Sequence, residues 1–205
     1  MANKENATDP VMEISRTISE LMEGLFGGVD EAEGGILRTR ISHLGVTDVD
    51  AILEVALENG IEEDAPYGVL HFHTTFAEDV PDEALADVIV TLNDLNHAVS
   101  AGAYPGFGCF CYYPPLKQIY YSYRMPINLS QVEAELNNVR YCLAALYDQM
   151  DVFADLVMFM INVPGSMSIE DYMDYVDQIA DLDEVEDKLQ ALNELIARTK
   201  EESED

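Results

Sequence analysis

The stretch from Ser130 to Ile161 places the strongest constraint on the fold. Val132, Leu136, Val139, Leu143, Leu146, Met150, Phe153 and Val157 recur there at three- and four-residue intervals, the spacing of one face of an α-helix. From Leu156 to Ile161 the segment becomes apolar all round. A helix without a polar face must be covered from several sides, so the chain needs further layers of secondary structure or a partner. Ser130-Gln131-Val132-Glu133 has the pattern of a capping box and predicts the helix start; Pro164-Gly165 predicts its end.

Other layers are legible upstream. From Gly68, Leu70, Phe72, Thr74 and Phe76 alternate with His71, His73 and Thr75, which predicts a strand with one buried face. Phe107 to Tyr113 and Gln118 to Met125, joined by Pro114-Pro115-Leu116-Lys117, predict a hairpin with aromatic cross-strand pairs among Phe110, Tyr112, Tyr120, Tyr121 and Tyr123. Ile36 to Ile41 predicts another strand, after an acidic turn-rich link from Asp30 to Gly35. Val49 to Leu57 fits either a strand or a short helix ending at Gly60, and its Ala and Glu content tips the reading towards helix.

Helices are predicted from Met12 to Leu25, stopped by Gly27-Gly28, and from Val80-Pro81 onward with a buried stripe of Leu85, Ile89, Leu92, Leu95 and Val99. Two more follow, after Ser168 and around Asp183-Glu184-Val185-Glu186, the last carrying Leu189, Leu192, Leu195 and Ile196. The fold class is α+β, an antiparallel sheet packed against helices with additional C-terminal helices. The domain reading is a body of residues 1–162 and an acidic helical extension of 163–205.

Charge narrows the function. Forty Asp and Glu against ten Lys and Arg give a formal charge of −30, which repels phosphate backbones and anionic lipid. The expectation is therefore no nucleic acid and no membrane partner, with basic protein segments the better match. The first residues look like an ordinary polar leader, and the apolar run Phe153 to Val163 is too short to span a bilayer. Three cysteines, Cys109, Cys111 and Cys142, make no disulfide framework and suit a reducing cytoplasm.

Candidate chemistry is sparse. His71 with His73 and Cys109 with Cys111 are i, i+2 pairs on predicted strands, so each pair points one way. Together they carry the donor types of a tetrahedral zinc site, although the spacing matches no zinc motif. Cysteine nucleophile chemistry lacks a local context, and Cys142 sits where packing is expected. Asp181-Leu182-Asp183 resembles a calcium-loop start, but Val185 stands where an oxygen ligand is required. Arg38 and Arg40 share a strand face and fit internal salt bridges. No cofactor is expected.

The order of these pieces resembles a known family. Gly68-Val69-Leu70-His71-Phe72-His73, Leu92-Asn93-Asp94-Leu95-Asn96 and Ile119-Tyr120-Tyr121-Ser122-Tyr123-Arg124-Met125-Pro126-Ile127, followed by the Ser130 helix, are similar to the YbjN family, which shares the fold of type III secretion chaperones. The resemblance implies a secretion-chaperone-like fold, a homodimer, and grooves that hold extended partner segments; the helices after Pro164 exceed the usual family length.

The functional reading is a cytoplasmic, non-catalytic, chaperone-like protein-binding module. Phe153, Val157, Met158 and Ile161 are its candidate contact residues, because they belong to the helix's excess apolar surface. A second reading is a metal-binding sensor or enzyme using His71, His73, Cys109 and Cys111. A third is an acidic antagonist of basic proteins, acting through the 14 carboxylates from Glu170 onward.

Overall fold

The computed structural model describes residues 10–59, 66–102, 106–163 and 167–203. The expected leader, Gly60 stop and Pro164-Gly165 break lie outside these residues. Helix α1 (Pro10–Phe26) leads into strands β1 (Val29–Ala32), β2 (Ile36–Leu44), β3 (Val49–Asn59) and β4 (Tyr67–Ala77). Helix α2 (Leu85–Ser100), the hairpin of β5 (Cys109–Tyr113) and β6 (Gln118–Asn128), and helices α3 (Val132–Asn162), α4 (Ile169–Ala180) and α5 (Val185–Ser203) follow. All strand pairs are antiparallel, in the order β1-β2-β3-β4-β6-β5.

Alternation decides what each side of the sheet does. Leu53 and Val55 on β3, Leu70 and Phe72 on β4, and Tyr121 and Ile127 on β6 are buried on the helix side. Their neighbours Glu54, His71, His73 and Ser122 lie on the other side, where Leu116 of the short 3-10 turn Pro114–Leu116 borders a hollow with His71 and His73. An antiparallel sheet tolerates one solvated face in this way. Phe110 connects the layers: its ring centroid is 5.0 Å from Tyr121, 5.7 Å from Phe76 and 5.9 Å from Phe153, and Phe153 stacks on Tyr172 at 6.1 Å. One core therefore runs from the sheet through α3 to α4.

Three local expectations are corrected. Residues 49–59 form a strand, because Leu53 and Val55 bury between β2 and β4 while Glu54 alternates outward, and pairing on both sides overrides Ala and Glu propensity. The Asp30–Gly35 link contains most of an edge strand, β1, paired to β2. On α2 the buried line is Val88, Thr91, Leu92 and Leu95, whereas Ile89 is 52% exposed.

Capping differs between the two serines. The Ser130 hydroxyl bonds the Asn128 carboxamide at 2.7 Å, so α3 starts at Val132 without a side-chain cap. Ser168 caps α4 as expected, accepting from the Asp171 N–H at 3.1 Å. At 31 residues α3 is about 46 Å long. Among the described residues no helix is long and apolar enough to cross a membrane.

Candidate functional site

The residues proposed for a metal site sit on the open sheet face. One transverse row crosses all six strands in register: Asp30, Arg38, Glu54, His73, Ser122 and Cys109. Strand β6 thus separates His73 from Cys109 by two strand spacings, about 10 Å. Tyr120, in register with Cys111, stacks on His73 with centroids 4.7 Å apart. His71 Nε2 meets the Ser122 hydroxyl at 3.0 Å and its Nδ1 faces Glu58 at 3.7 Å. Burial lowers the pKa of both histidines, keeping them neutral at neutral pH. The two pairs do not converge, and no group of three or more His, Cys, Asp or Glu among the described residues is placed to hold a metal ion.

The arginines of this face are paired. Arg38 bonds Glu54, Arg40 bonds Asp50, and Arg124 lies 3.3 Å from Glu58; the sequence expectation of internal salt bridges is met for Arg38 and Arg40. On the four central strands these are the charged residues that point to the open side. Exposed pairs of this kind contribute little stability. Their effect is to leave a charge-balanced patch on a strongly acidic chain.

The candidate contact residues on α3 divide. Phe153 and Val157 are 0% exposed, a correction to their placement on an interaction surface: the sheet covers α3 on one side and Tyr172 of α4 covers Phe153 on another. Met158 and Ile161 are half-buried. Met158 borders a hollow of about 440 Å³ with Asp155, Phe159, Leu192 and Ile196. Ile161 borders a smaller one of about 270 Å³ beside Pro81 and Ala84.

A third location was not singled out from sequence. Helix α1 runs beside β1 and β2, and between them lies a groove of about 670 Å³. Its apolar lining comes from Val11, Met12, Val29 and Leu37, its charge from Glu13, Arg16, Glu20 and Glu31. Met12 is 66% exposed. Because β1 is the edge of the sheet, its outward N–H and C=O groups face no further strand among the described residues, and its Val29 and Glu31 line this groove. The sequence signals for it were faint: one apolar residue on the outer side of α1, and an acidic four-residue strand that reads as a linker.

The opposite edge is built differently. Asn96 of α2 donates its Nδ2 to the Phe110 carbonyl at 2.7 Å and accepts the Phe110 N–H at its Oδ1 at 2.8 Å. One carboxamide thereby satisfies both outward groups of Phe110, the second residue of β5, as a neighbouring strand would.

Carboxylates in the core fix loops instead of forming an acid–base pair. Buried Asp155 accepts from Val46 N–H at 2.9 Å, Thr47 N–H at 2.8 Å and the Thr47 hydroxyl at 2.6 Å. Asp151 accepts from Gly45 N–H at 2.8 Å, and burial raises its pKa. These bonds tie the β2–β3 turn to α3. Gly45 has φ +65°, and a Cβ there would stand 2.6 Å from Asp155 Oδ1, so both conformation and space require glycine.

No protein-family model matches the chain, no curated protein matches it, and no solved structure matches it.

Proposed function

We propose that this chain is a non-catalytic, chaperone-like protein-binding module that holds an extended, basic and apolar segment of a partner along the edge of β1, against α1. The observation that supports this reading is the contrast between the two sheet edges. Asn96 occupies the outward groups of Phe110 on β5, whereas β1 offers its outward groups beside an apolar-lined groove. An added strand would gain main-chain hydrogen bonds from β1 and side-chain pockets from the groove, the usual division between affinity and specificity in strand addition.

Charge selects the occupant. Glu13, Glu20 and Glu31 line the groove against one Arg16, and the whole chain carries −30. A lysine- or arginine-bearing segment is drawn in and an acidic one repelled. The test is fluorescence anisotropy with labelled peptides that alternate valine with either lysine or aspartate. Binding of the lysine peptide, weakened tenfold or more by Met12→Lys with Glu31→Lys, supports the reading. Equal binding of both peptides, or indifference to the double substitution, rejects it.

A second reading is favoured by the open face. Two copies of a chain with charge −30 repel each other, yet the central open face carries Arg38, Arg40 and Arg124 against Asp50, Glu54 and Glu58. Ile52 adds an exposed apolar side chain there. A second copy seated on this face meets the least repulsion. Light scattering after chromatography should then give twice the chain mass, and Ile52→Asp should halve it; a monomer in the unaltered protein rejects this reading.

A further inference from the structure

Cys109 and Cys111 flank Phe110 on β5 with their Sγ atoms 3.5 Å apart. Both point to the open side of the sheet; Cys109 is exposed and Cys111 half-buried, while Cys142 is buried in α3. Alternate residues of an extended strand have Cα atoms about 6.7 Å apart, the upper end of the range a disulfide spans, roughly 4.4–6.8 Å. To reach a bond of about 2.05 Å the sulfurs must close further and the strand must pinch between them. The residue that pinching turns is Phe110, whose N–H and C=O are the two groups held by Asn96.

We propose that Cys109 and Cys111 are a reversible dithiol–disulfide pair, oxidised by exchange with a low-molecular-weight disulfide, and that closing the bond competes with the Asn96 clamp on the β5 edge. In the first step one cysteine thiolate attacks a sulfur of RSSR. The RSSR bond breaks, a mixed disulfide forms, and RS⁻ leaves to take up the proton the cysteine gave up. The second cysteine then attacks the cysteine sulfur of the mixed disulfide and expels the other RS⁻, which is protonated in turn. Two cysteine thiols lose two electrons, and RSSR gains them as two RSH.

The same geometry sets the properties of the pair. A bond closed across a strained strand is readily reduced. Burial and the contact with Cys111 push the Cys109 thiol up to about 11, so its thiolate is scarce at neutral pH and exchange accelerates as pH rises. Asn96 holds the reduced form: with both Phe110 groups bonded, closing the disulfide has to break or bend those bonds.

The experiment uses the full chain carrying Cys142→Ser, with oxidised glutathione as the probe. After acid quench, intact mass should fall by about 2 Da, two hydrogens, and return with a dithiol reductant. Amide exchange at Phe110 should accelerate at least tenfold in the oxidised form. Asn96→Ala should shift the equilibrium with glutathione at least tenfold towards the disulfide. Cys111→Ala, verified as folded by near-ultraviolet circular dichroism, should stop at the glutathione adduct. Persistent adducts on both cysteines, covalent dimers, or a disulfide whose formation is indifferent to Asn96→Ala would overturn the proposal.

Discussion

Replacing Asp155 by alanine should destabilise the protein by about 4 kcal/mol. The side chain is 3% exposed and accepts three bonds from the β2–β3 turn, at 2.6, 2.8 and 2.9 Å. Bonds to a charged acceptor contribute about 1.5 to 3 kcal/mol each. The low end applies because Val46 and Thr47 lie near the surface and can rehydrate, while loss of the repulsion between Asp155 and Asp151 returns a little. Asp155→Asn keeps one oxygen for Thr47 but turns an amide NH₂ towards the Val46 N–H, and should cost about 2 kcal/mol. Urea unfolding followed by circular dichroism measures both, with the slope m unchanged. Gly45→Ala adds a coupled check: its clash is with Asp155, so in the Asp155→Ala background only the φ +65° strain of about 1 to 2 kcal/mol should remain. An Asp155→Ala protein within 1 kcal/mol of the unaltered one, or additive costs in the cycle, would refute the claim that this carboxylate fixes the turn.

The remaining predictions concern the edge and the titrating groups. Asn96→Ala frees both outward groups of Phe110 and should cost about 2 kcal/mol, two ordinary bonds, with concentration-dependent self-association visible by light scattering. Burial raises the pKa of Tyr121, Tyr172 and Tyr175; a raised acid contributes its stability in full below the unfolded pKa, so stability should fall as pH rises above about 10, by about 4 kcal/mol per pH unit for three phenols. Phenolate absorbance and loss of circular dichroism should then move together. Asp151 is also raised, chiefly by burial, so its ionised form at neutral pH opposes folding, the stabilising protonated form being lost as pH rises above the ordinary Asp range. Asp151→Asn retains an acceptor for Gly45 and should leave the melting temperature unchanged or higher, most clearly at low salt.

Periodicity revealed the layers of the fold but not its contacts. The alternation of Leu70, Phe72 and Phe76 with His71 and His73 marks a strand with one buried face, and that face is where it was expected. The 49–59 segment misled because Ala and Glu carry helix propensity, while its partners, β2 and β4, are set by pairing that no local window contains. Phe153 and Val157 were legible as apolar but not as covered, since their cover includes helices that lie after them in the chain. Asp155 was not singled out inside its apolar run, because its donors at Val46 and Thr47 are more than a hundred residues away. The metal reading failed to assemble for a similar reason: i, i+2 spacing places each pair on a face, and only the strand order inserts β6 between them.

Strand order also ties the functional readings to the charge. A sheet with one uncovered face and two edges offers three places to associate, and in this chain each carries a different electrostatic condition. The β5 edge is occupied by a side chain that a neighbouring strand would have to displace. The open face is balanced, its arginines held by Glu54, Asp50 and Glu58, so the formal charge of −30 resides elsewhere on the molecule. Among the described residues, the β1 edge combines main-chain groups that face no further strand, an apolar wall and excess carboxylates. An identical copy brings the same carboxylates to that edge and is repelled, whereas a basic segment is attracted. Under the proposed function, the same surface charge that separates copies of the chain at β1 favours a partner of opposite sign.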